Sequence, residues 1–504
     1  MWLISILLSF LISLVFAFVL YVKWSQKHWS RKKIPHIEAT SIWGNLENPF
    51  RQKLGVKQIA KDAYLELKRR SVRYGGIYLF TKPAFIPVEP ELIKNILTKD
   101  FAHFNGHGFP YDAKKDPLSA HLLNLDGDPW RNIRVKLSPV FTSGKIKAMF
   151  DTLLECGGPL LHHVDVSIER GDPLYIKDMM SKFTIDVIGS CAFGVECNSF
   201  KNPDAEFKRL GHHITTISPR NKMYNFMKFI APPLGKLVHV RRVPLELEKF
   251  LINAIKGVLD YRKSEGVVRN DFMQLFIELE EKAKAHNEEF LTIQQIAAQA
   301  YVFFVGGFDT SASTLTFLLH ELAYNQEIQS KLREEIRETL REYDGKLTYD
   351  AIIGMKFMDQ VVNETLRMYP PLSFLNRVCT KEYKLPNTDT IIEKGTAILI
   401  SNLGIHWDPE YYPNPETFDP DRFTDENKRT RPTFTFLPFG EGPRICIGQR
   451  FGMMQTKTGI ALLLNHYKFL PSENGKYKLT LEPTSVVLGT KEVVTLNAVK
   501  LNGI

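Results

Sequence analysis

The sequence predicts a mainly α-helical fold with a minor β region, preceded by one N-terminal transmembrane helix. Three observations lead to this prediction: residues 1–22 carry no charged side chain, helical periodicity dominates the middle and rear of the chain, and strand-like apolar runs are few and short. The composition, with 44% hydrophobic and 24% charged residues, is typical of an ordered globular protein. We therefore expect a folded body held at a membrane.

The N-terminal segment has the length and composition of a membrane-spanning helix. A cleaved signal peptide would need a shorter apolar stretch, a basic residue before it and a small-residue cleavage site, and residues 1–22 show none of these. Five basic residues follow the apolar run: Lys23, Lys27, Arg31, Lys32 and Lys33. By the positive-inside rule, they predict that the rest of the chain lies on the cytoplasmic side.

Three parts are predicted: an anchor over residues 1–22, a basic, proline-containing linker over residues 23–44, and one folded domain over residues 45–504. No second linker, repeat or low-complexity tract interrupts the domain. The formal charge of +9 is spread between acidic residues and forms no basic arm. This pattern predicts a diffuse field facing lipid or an acidic partner, and it argues against nucleic-acid binding.

Within the domain, the strand candidates are residues 77–79, 396–400 and 494–498. The longest helix candidate begins after Thr292, where Gln295 completes a capping box, and it runs to about Asn325. A helix of that length would cross the whole domain. Another predicted helix carries Glu364 and Arg367 one turn apart.

Only one of the five cysteines stands in a distinctive context. Cys446 lies where a glycine-rich loop, residues 439–448, enters a predicted helix over residues 449–465. Glycines allow the backbone to approach a flat group, and the free N–H groups at a helix start favour a thiolate. We therefore predict a sulfur ligand at Cys446. The other four are predicted to be small buried residues in a reducing compartment: Cys156, Cys191, Cys197 and Cys379.

The pattern F-x-x-G-x-R-x-C-x-G around Cys446 resembles the haem-binding motif of the cytochrome P-450 superfamily. Three further motifs agree in content and order: E-x-x-R at residues 364–367, P-x-x-F-x-P-x-R-F at residues 415–423, and Gly-Gly-Phe-Asp-Thr-Ser at residues 306–311. The similarity extends from about Pro35 to near the end. It is to the microsomal class, and most to the insect xenobiotic-metabolising branch.

The resemblance implies the cytochrome P-450 fold and a haem-thiolate monooxygenase that inserts one oxygen atom of O2 into a lipophilic small molecule. Cys446 would ligate the iron of haem b, which favours cleavage of the O–O bond. Phe439 would shield the sulfur. The implied propionate contacts are Arg444, Trp130, Arg134 and Arg377. The sequence departs from close relatives at residues 106–108, where Gly-His-Gly stands in place of a stretch that often carries an arginine.

Two motifs carry further implied roles. Thr310 and Asp309 would deliver protons during oxygen activation, while the paired glycines at residues 306–307 would let the long helix approach the cofactor. The Thr310 hydroxyl is expected to bond to the carbonyl one turn earlier. The E-x-x-R pair would be buried with Arg422 and hold the haem loop. Four residues are candidates for the substrate pocket and equally for ordinary core: Phe304, His121, Phe374 and Leu375.

Because the sequence has no nicotinamide or flavin motif, electrons from NADPH must arrive through a separate protein. The resemblance implies the membrane-bound NADPH–cytochrome reductase, with cytochrome b5 as a further candidate, at the endoplasmic reticulum membrane. The basic residues proposed for this docking face are Arg131, Lys136, Lys147 and Arg450.

Two alternatives remain at this point: a haem-thiolate isomerase or dehydratase, which needs no external electrons, and a non-catalytic haem-binding protein. Retention of Asp309 and Thr310 argues against the first of these, and reductase-dependent NADPH consumption would exclude the second. The identity of the substrate, the position of its oxidation and the oligomeric state are left open.

Overall fold

The computed structural model describes residues 2–46, 55–202, 207, 209–211, 241, 243–482 and 485–501. Helices dominate this part of the chain, as predicted. The longer ones are Trp2–Ser25, Val56–Arg69, Gly127–Leu137, Gly157–Arg170, Ile176–Ile188, Leu245–Glu265, Phe272–Ala285, Ile293–Tyr324, Gln326–Glu342, Lys356–Met368 and Gln449–His466. Shorter α-helices are His28–Arg31, Pro90–Lys94, Ser143–Ala148, Phe150–Glu155, Tyr349–Gly354, Asn402–His406 and Asp425–Thr430.

The β structure is confined to small sheets. Strands β1 (Tyr74–Leu79), β2 (Lys82–Pro87), β4 (Leu375–Val378) and β7 (Ala397–Ile400) form a sheet in the order β1-β2-β7-β4, in which β2 and β7 are parallel. Strands β3 (Leu174–Tyr175), β8 (Tyr467–Pro471) and β9 (Thr495–Lys500) form a second sheet, and β5 (Tyr383–Lys384) pairs with β6 (Ile391–Ile392). The predicted strand 77–79 lies within β1, and the predicted strands 396–400 and 494–498 overlap β7 and β9 but begin one residue earlier.

Two hydrophobic cores hold these elements. The larger core lies among the helices, and the smaller core lies between the four-stranded sheet, helix Val56–Arg69 and Trp29. Trp29 falls within the predicted linker, yet it is only 1% exposed and donates its indole N–H to the carbonyl of Ile77 at 3.0 Å. Part of that basic stretch is therefore packed against the sheet.

The long helix Ile293–Tyr324 begins as predicted. The Thr292 hydroxyl accepts from the backbone N–H of Gln295, and the Gln295 side chain accepts from the N–H of Thr292. This helix and Trp2–Ser25 are the two described helices that are long and apolar enough to cross a membrane. The long helix is mostly buried in the domain, whereas Trp2–Ser25 is exposed along its apolar length, as a membrane anchor would be.

Candidate functional site

An apolar cavity of about 310 Å³ lies beside Cys446. Its walls come from the middle of the long helix, helix Gly127–Leu137, the first turns of helix Gln449–His466, residues 371–377 and the loop over residues 438–448. Segments distant in sequence therefore meet at one place. Most of the residues singled out by the motifs lie on this wall.

The Cys446 loop is shaped by its own backbone bonds. The N–H of Cys446 donates to the carbonyl of Phe439 at 2.9 Å, which closes the loop just before helix Gln449–His466. Gly442 has a φ of 77°, and a side chain there would overlap the carbonyl oxygen of Leu97. This glycine is thus required by packing against the neighbouring backbone. Cys446 lies inside the domain and is accessible from the cavity that it faces.

The environment of the Cys446 thiol contains opposing effects. Burial raises its pKa, whereas a hydrogen bond with the N–H of Gly448 and the charge of Arg134 act in the opposite direction. Burial is the largest of these effects, so the pKa of the thiol stays above its usual value. A bound metal cation would supply the missing stabilisation, since a coordinating thiol loses its proton.

Three arginines reach the same cavity. Arg377 is 3% exposed, and its Nε has no hydrogen-bond partner among the residues described. Burial lowers the pKa of Arg377 to about 10 and also lowers that of Arg134. Arg444 stacks on Trp130 at 4.4 Å and pairs with Asp126 at 3.1 Å.

This charge balance is a test of the predicted cofactor. In the described part of the chain, Arg444 has one carboxylate partner, Asp126, whereas Arg134 and Arg377 have none. Buried cations without partners are costly, so a ligand with two carboxylates and a flat apolar body would complete the site. Haem b has this chemistry, and the lining residues therefore fit it.

Thr310 lines the cavity, and its hydroxyl donates to the carbonyl of Gly306 at 2.6 Å. The predicted bond to the preceding turn is confirmed.

The two glycines that precede Thr310 in the motif, Gly306 and Gly307, differ in their surroundings. A side chain at Gly306 would meet no atom within 4 Å, whereas one at Gly307 would come within 2.7 Å of Ile188 Cδ1. Gly306 thus faces the cavity and contacts no other side chain of the protein, and Gly307 allows close packing of two helices.

Alanine substitutions at the two glycines are expected to have different effects. In the haem-free protein, Gly306→Ala should be neutral or stabilising by about 1 kcal/mol, because alanine favours the helix and no other side chain of the protein lies near the new methyl. Gly307→Ala should be less stable than Gly306→Ala by about 1–3 kcal/mol because of overpacking against Ile188. Urea unfolding of the two variants measures the difference. Adding Ile188→Val to Gly307→Ala should restore stability, and equal stability of the two alanine variants would contradict this account.

Asp309 does not reach the cavity wall. Its carboxylate accepts a hydrogen bond from Lys177 Nζ at 2.6 Å, and the same ammonium donates to Ser313 at 2.7 Å. Consecutive residues of an α-helix point about 100° apart, so Thr310 and its neighbour Asp309 face different surroundings. The structure therefore separates two residues that the sequence had assigned to one role.

The four candidates for the substrate pocket divide equally. Phe374 and Leu375 line the cavity. Phe304 is fully buried in an aromatic cluster with Phe193, Phe207 and Phe308, and the neighbouring Phe303 lines the cavity instead.

His121 is also placed away from the cavity wall. Its side chain is 7% exposed and lies near Tyr301 and Asn124, while Leu122 and Leu123 reach the cavity. A shift of one residue along the chain changes which side chain points inward. The pocket assignments of Phe304 and His121 are corrected on this ground.

The sequence patterns did not identify several residues that line the cavity. Val302 and Thr314 line the cavity together with Gly306 and Thr310. The four positions are spaced by four residues, so they share one face of the helix, and this spacing could have identified the two outer ones. His107, noted only as a departure, also lines the cavity, and burial lowers its pKa to about 3. No sequence signal predicted that position.

The E-x-x-R pair is buried as predicted. Arg367 Nε donates to Glu364 at 2.7 Å, and both side chains are 0% exposed. Arg422 lies 3.5 Å from the Glu364 carboxylate. Arg367 also donates to the carbonyl of His406 at 2.9 Å. The pair lies outside the cavity and connects the segments behind the Cys446 loop.

Comparison with known proteins agrees with this geometry. The family model described as Cytochrome P450 matches residues 42–496. The chain is 40% identical over 484 residues to Cytochrome P450 6A1 of Musca domestica, covering 95% of this chain and 94% of that protein. It is 39% identical over 501 residues to Probable cytochrome P450 6a23 of Drosophila melanogaster, covering 99% of this chain and 100% of that protein. It is 41% identical over 483 residues to Probable cytochrome P450 6a13 of the same species, covering 95% of this chain and 96% of that protein.

Proposed function

The chain belongs to the cytochrome P450 family, and from this premise we propose that it oxidises lipophilic small molecules, either xenobiotics or endogenous lipids and hormones, in the cavity beside Cys446. The family makes it a haem-thiolate monooxygenase with haem b as cofactor and NADPH as electron source through a reductase. The observation that carries the proposal is one cavity with Cys446, Thr310 and three arginines on apolar walls.

The assignment of site residues to haem b is part of this proposal. Haem b supplies the iron centre that activates O2 when it is bound. Cys446 would hold it through Sγ. Phe439, which lines the same cavity, would shield the sulfur from water. The propionates would be held by Arg134, Arg377 and Arg444, together with Trp130.

The apolar part of the cavity would select the substrate. Val302 and Phe303 lie on the long-helix side of the cavity, and Phe374 and Leu375 lie on the side formed by β4 and the segment before it. Such walls bind apolar surface and exclude water, with few polar groups to fix one orientation. A lipophilic substrate class follows, and turnover of a panel of lipophilic compounds would identify its members.

Thr310 is proposed to hold a proton close to the reacting oxygen, with Asp309 as a second proton-transfer group. The Thr310 hydroxyl is at the cavity, whereas the Asp309 carboxylate is paired with Lys177. Asp309 would therefore act only through rotation of its side chain or through intervening water. Thr310 is the residue in direct reach of substrate.

Thr310→Ala is expected to lower product formation by roughly 10²-fold, in the range for loss of a proton-transfer group. NADPH consumption should continue, and its electrons should appear as hydrogen peroxide. The measurement is the ratio of product and peroxide to NADPH consumed.

Two variants serve as controls for this experiment. Thr310→Ser keeps the hydroxyl and should keep most of the coupling. Thr316→Ala removes a buried hydroxyl that bonds to the carbonyl of Ala312 in the same helix but lies away from the cavity, and it should not increase peroxide. Normal coupling in Thr310→Ala would remove Thr310 from this role.

The class of reaction has a direct test. The reduced, carbon-monoxide-bound protein should show the absorption of a thiolate-ligated haem, and NADPH consumption should require added reductase and increase with lipophilic substrate. An isomerase or dehydratase would turn over without reductase, and a non-catalytic haem protein would consume no NADPH with any substrate. Either result would overturn the proposed function.

The membrane location and the electron donors are further parts of the proposal. Residues 1–22 would anchor the chain in the endoplasmic reticulum membrane, with residues 45–504 as the catalytic domain on the cytoplasmic face and residues 23–44 connecting them. Protease protection in sealed microsomes tests this orientation.

The reductase, and cytochrome b5 as a second donor, would dock near exposed Arg131 and Arg450. Lys147 and Lys136 are already bound to Asp350 and the carbonyl of Glu289.

A further inference from the structure

The backbone of one residue at the start of the Cys446 loop, Leu437, is bound by side chains at both its N–H and its C=O group. The N–H of Leu437 donates to His406 Nε2 at 2.9 Å, and the carbonyl of Leu437 accepts from Asn402 Nδ2 at 3.0 Å. Leu437, His406 and Asn402 are all 0% exposed. Because most backbone groups bond to other backbone groups, two side chains bound to the backbone of one buried residue are a specific arrangement.

Both side chains come from the same short helix, Asn402–His406. The Ser401 hydroxyl caps this helix by accepting from the N–H of Gly404 at 3.1 Å. At its other end, the carbonyl of His406 accepts from Arg367, which is ion-paired with Glu364. The short helix is therefore held in place before it contacts Leu437.

Leu437 also begins the cysteine loop. The carbonyl of Leu437 accepts from the N–H of Gly440 at 3.1 Å, and the carbonyl of Phe439 accepts from the N–H of Cys446 at 2.9 Å. A continuous series of hydrogen bonds thus runs from Arg367 through His406 and Leu437 to the loop closure at Cys446.

The His406 ring is suited to accept this hydrogen bond. Burial, together with the nearby charge of Arg367, lowers its pKa to about 3, so the ring is neutral at physiological pH. Nε2 faces an N–H donor and must therefore carry the lone pair, which places the ring proton on Nδ1. Protonation or removal of this nitrogen would leave the Leu437 N–H without an acceptor.

We infer that His406 and Asn402 form a clamp on the backbone of Leu437 that positions the Cys446 loop for the haem. The two residues are positioning residues, since neither lines the cavity in the described part of the chain. The inference rests on the proposed role of Cys446 as the haem ligand. It predicts that loss of the clamp loosens the loop and releases haem faster while the rest of the domain stays folded.

The test compares three substitutions of His406 in the full-length holoenzyme. In His406→Gln, the side-chain oxygen can reach the position of Nε2 and keep the acceptor. In His406→Asn, the side chain is shorter by one methylene and reaches only the Nδ1 position. His406→Leu has no acceptor. The matched control is His320→Leu, since His320 is also buried and bonds to a backbone carbonyl, that of Tyr477 at 2.9 Å, away from the cavity.

Three measurements are made on each variant: haem transfer to apomyoglobin, the absorption of the reduced carbon monoxide complex over time, and hydrogen exchange at the Leu437 amide. For His406→Asn and His406→Leu, we expect haem release and Leu437 exchange about tenfold faster, as for loss of one buried hydrogen bond. The thiolate-type absorption should decay in parallel. His406→Gln should resemble the wild type, and His320→Leu should not accelerate haem release.

Two outcomes would overturn the clamp. One is haem release and Leu437 exchange at wild-type rates in His406→Asn, and the other is equal acceleration in His320→Leu, which would indicate a general loss of stability. If His406→Leu does not fold, the comparison of glutamine with asparagine still decides the question. Failure of the proposed role of Cys446 is distinguishable, because it would remove the thiolate-type absorption from the wild type as well.

Discussion

Cys446→Ser is expected to abolish both the thiolate-type absorption of the reduced carbon monoxide complex and substrate oxidation. A serine hydroxyl is a much weaker ligand than a thiolate, and it does not donate the electron density that favours O–O cleavage. The measurement is the absorption difference spectrum of the purified variant after reconstitution with haem, together with product formation in the presence of reductase. Both should fall to background.

Cys156→Ser is the matched control for this substitution. Cys156 is partly buried, and its thiol donates to the carbonyl of Thr152 at 3.4 Å, a bond that serine can also make. Spectrum and activity should be retained. A Cys446→Ser protein that kept the thiolate-type absorption, or a wild-type protein that bound haem through a nitrogen ligand, would refute the assignment of Cys446.

Loss of either partner in the buried Glu364–Arg367 pair should destabilise the protein by about 3–5 kcal/mol. In Arg367→Leu, the Glu364 carboxylate is left with the N–H of Asp419 and the more distant Arg422. The carbonyls of His406 and Pro415 also lose a donor. We expect little folded holoenzyme at 37 °C and a large decrease in the urea midpoint of whatever folds.

Lys147→Gln provides the control for that prediction. Lys147 pairs with Asp350 at 2.6 Å, and the two side chains are 54% and 58% exposed. Solvent screens such a pair, which contributes about 0–1 kcal/mol. A loss in Arg367→Leu no greater than that in Lys147→Gln would show that the E-x-x-R pair is not a structural requirement.

Local patterns were sufficient for several parts of the protein. The uncharged run at the N-terminus predicted a helix, and the capping box at Thr292 predicted the start of the long helix at the residue where it begins. The motif around Cys446 identified the loop and the helix that follows it. These features depend on side chains and backbone groups within a few residues of one another, so the sequence contains the whole interaction.

The sequence by itself determined the apolar N-terminal helix, the starts of the long helix and of the helix after Cys446, the family, and the cysteine that faces the cavity. The tertiary structure decided which of two consecutive residues faces the cavity. Phe303 faces it and Phe304 does not, and Thr310 faces it and Asp309 does not. It also joined His406 to Leu437. The physical reason is that a helix turns about 100° per residue, so its orientation against other elements selects the inward side chain. Long-range packing sets that orientation, and no local pattern records it.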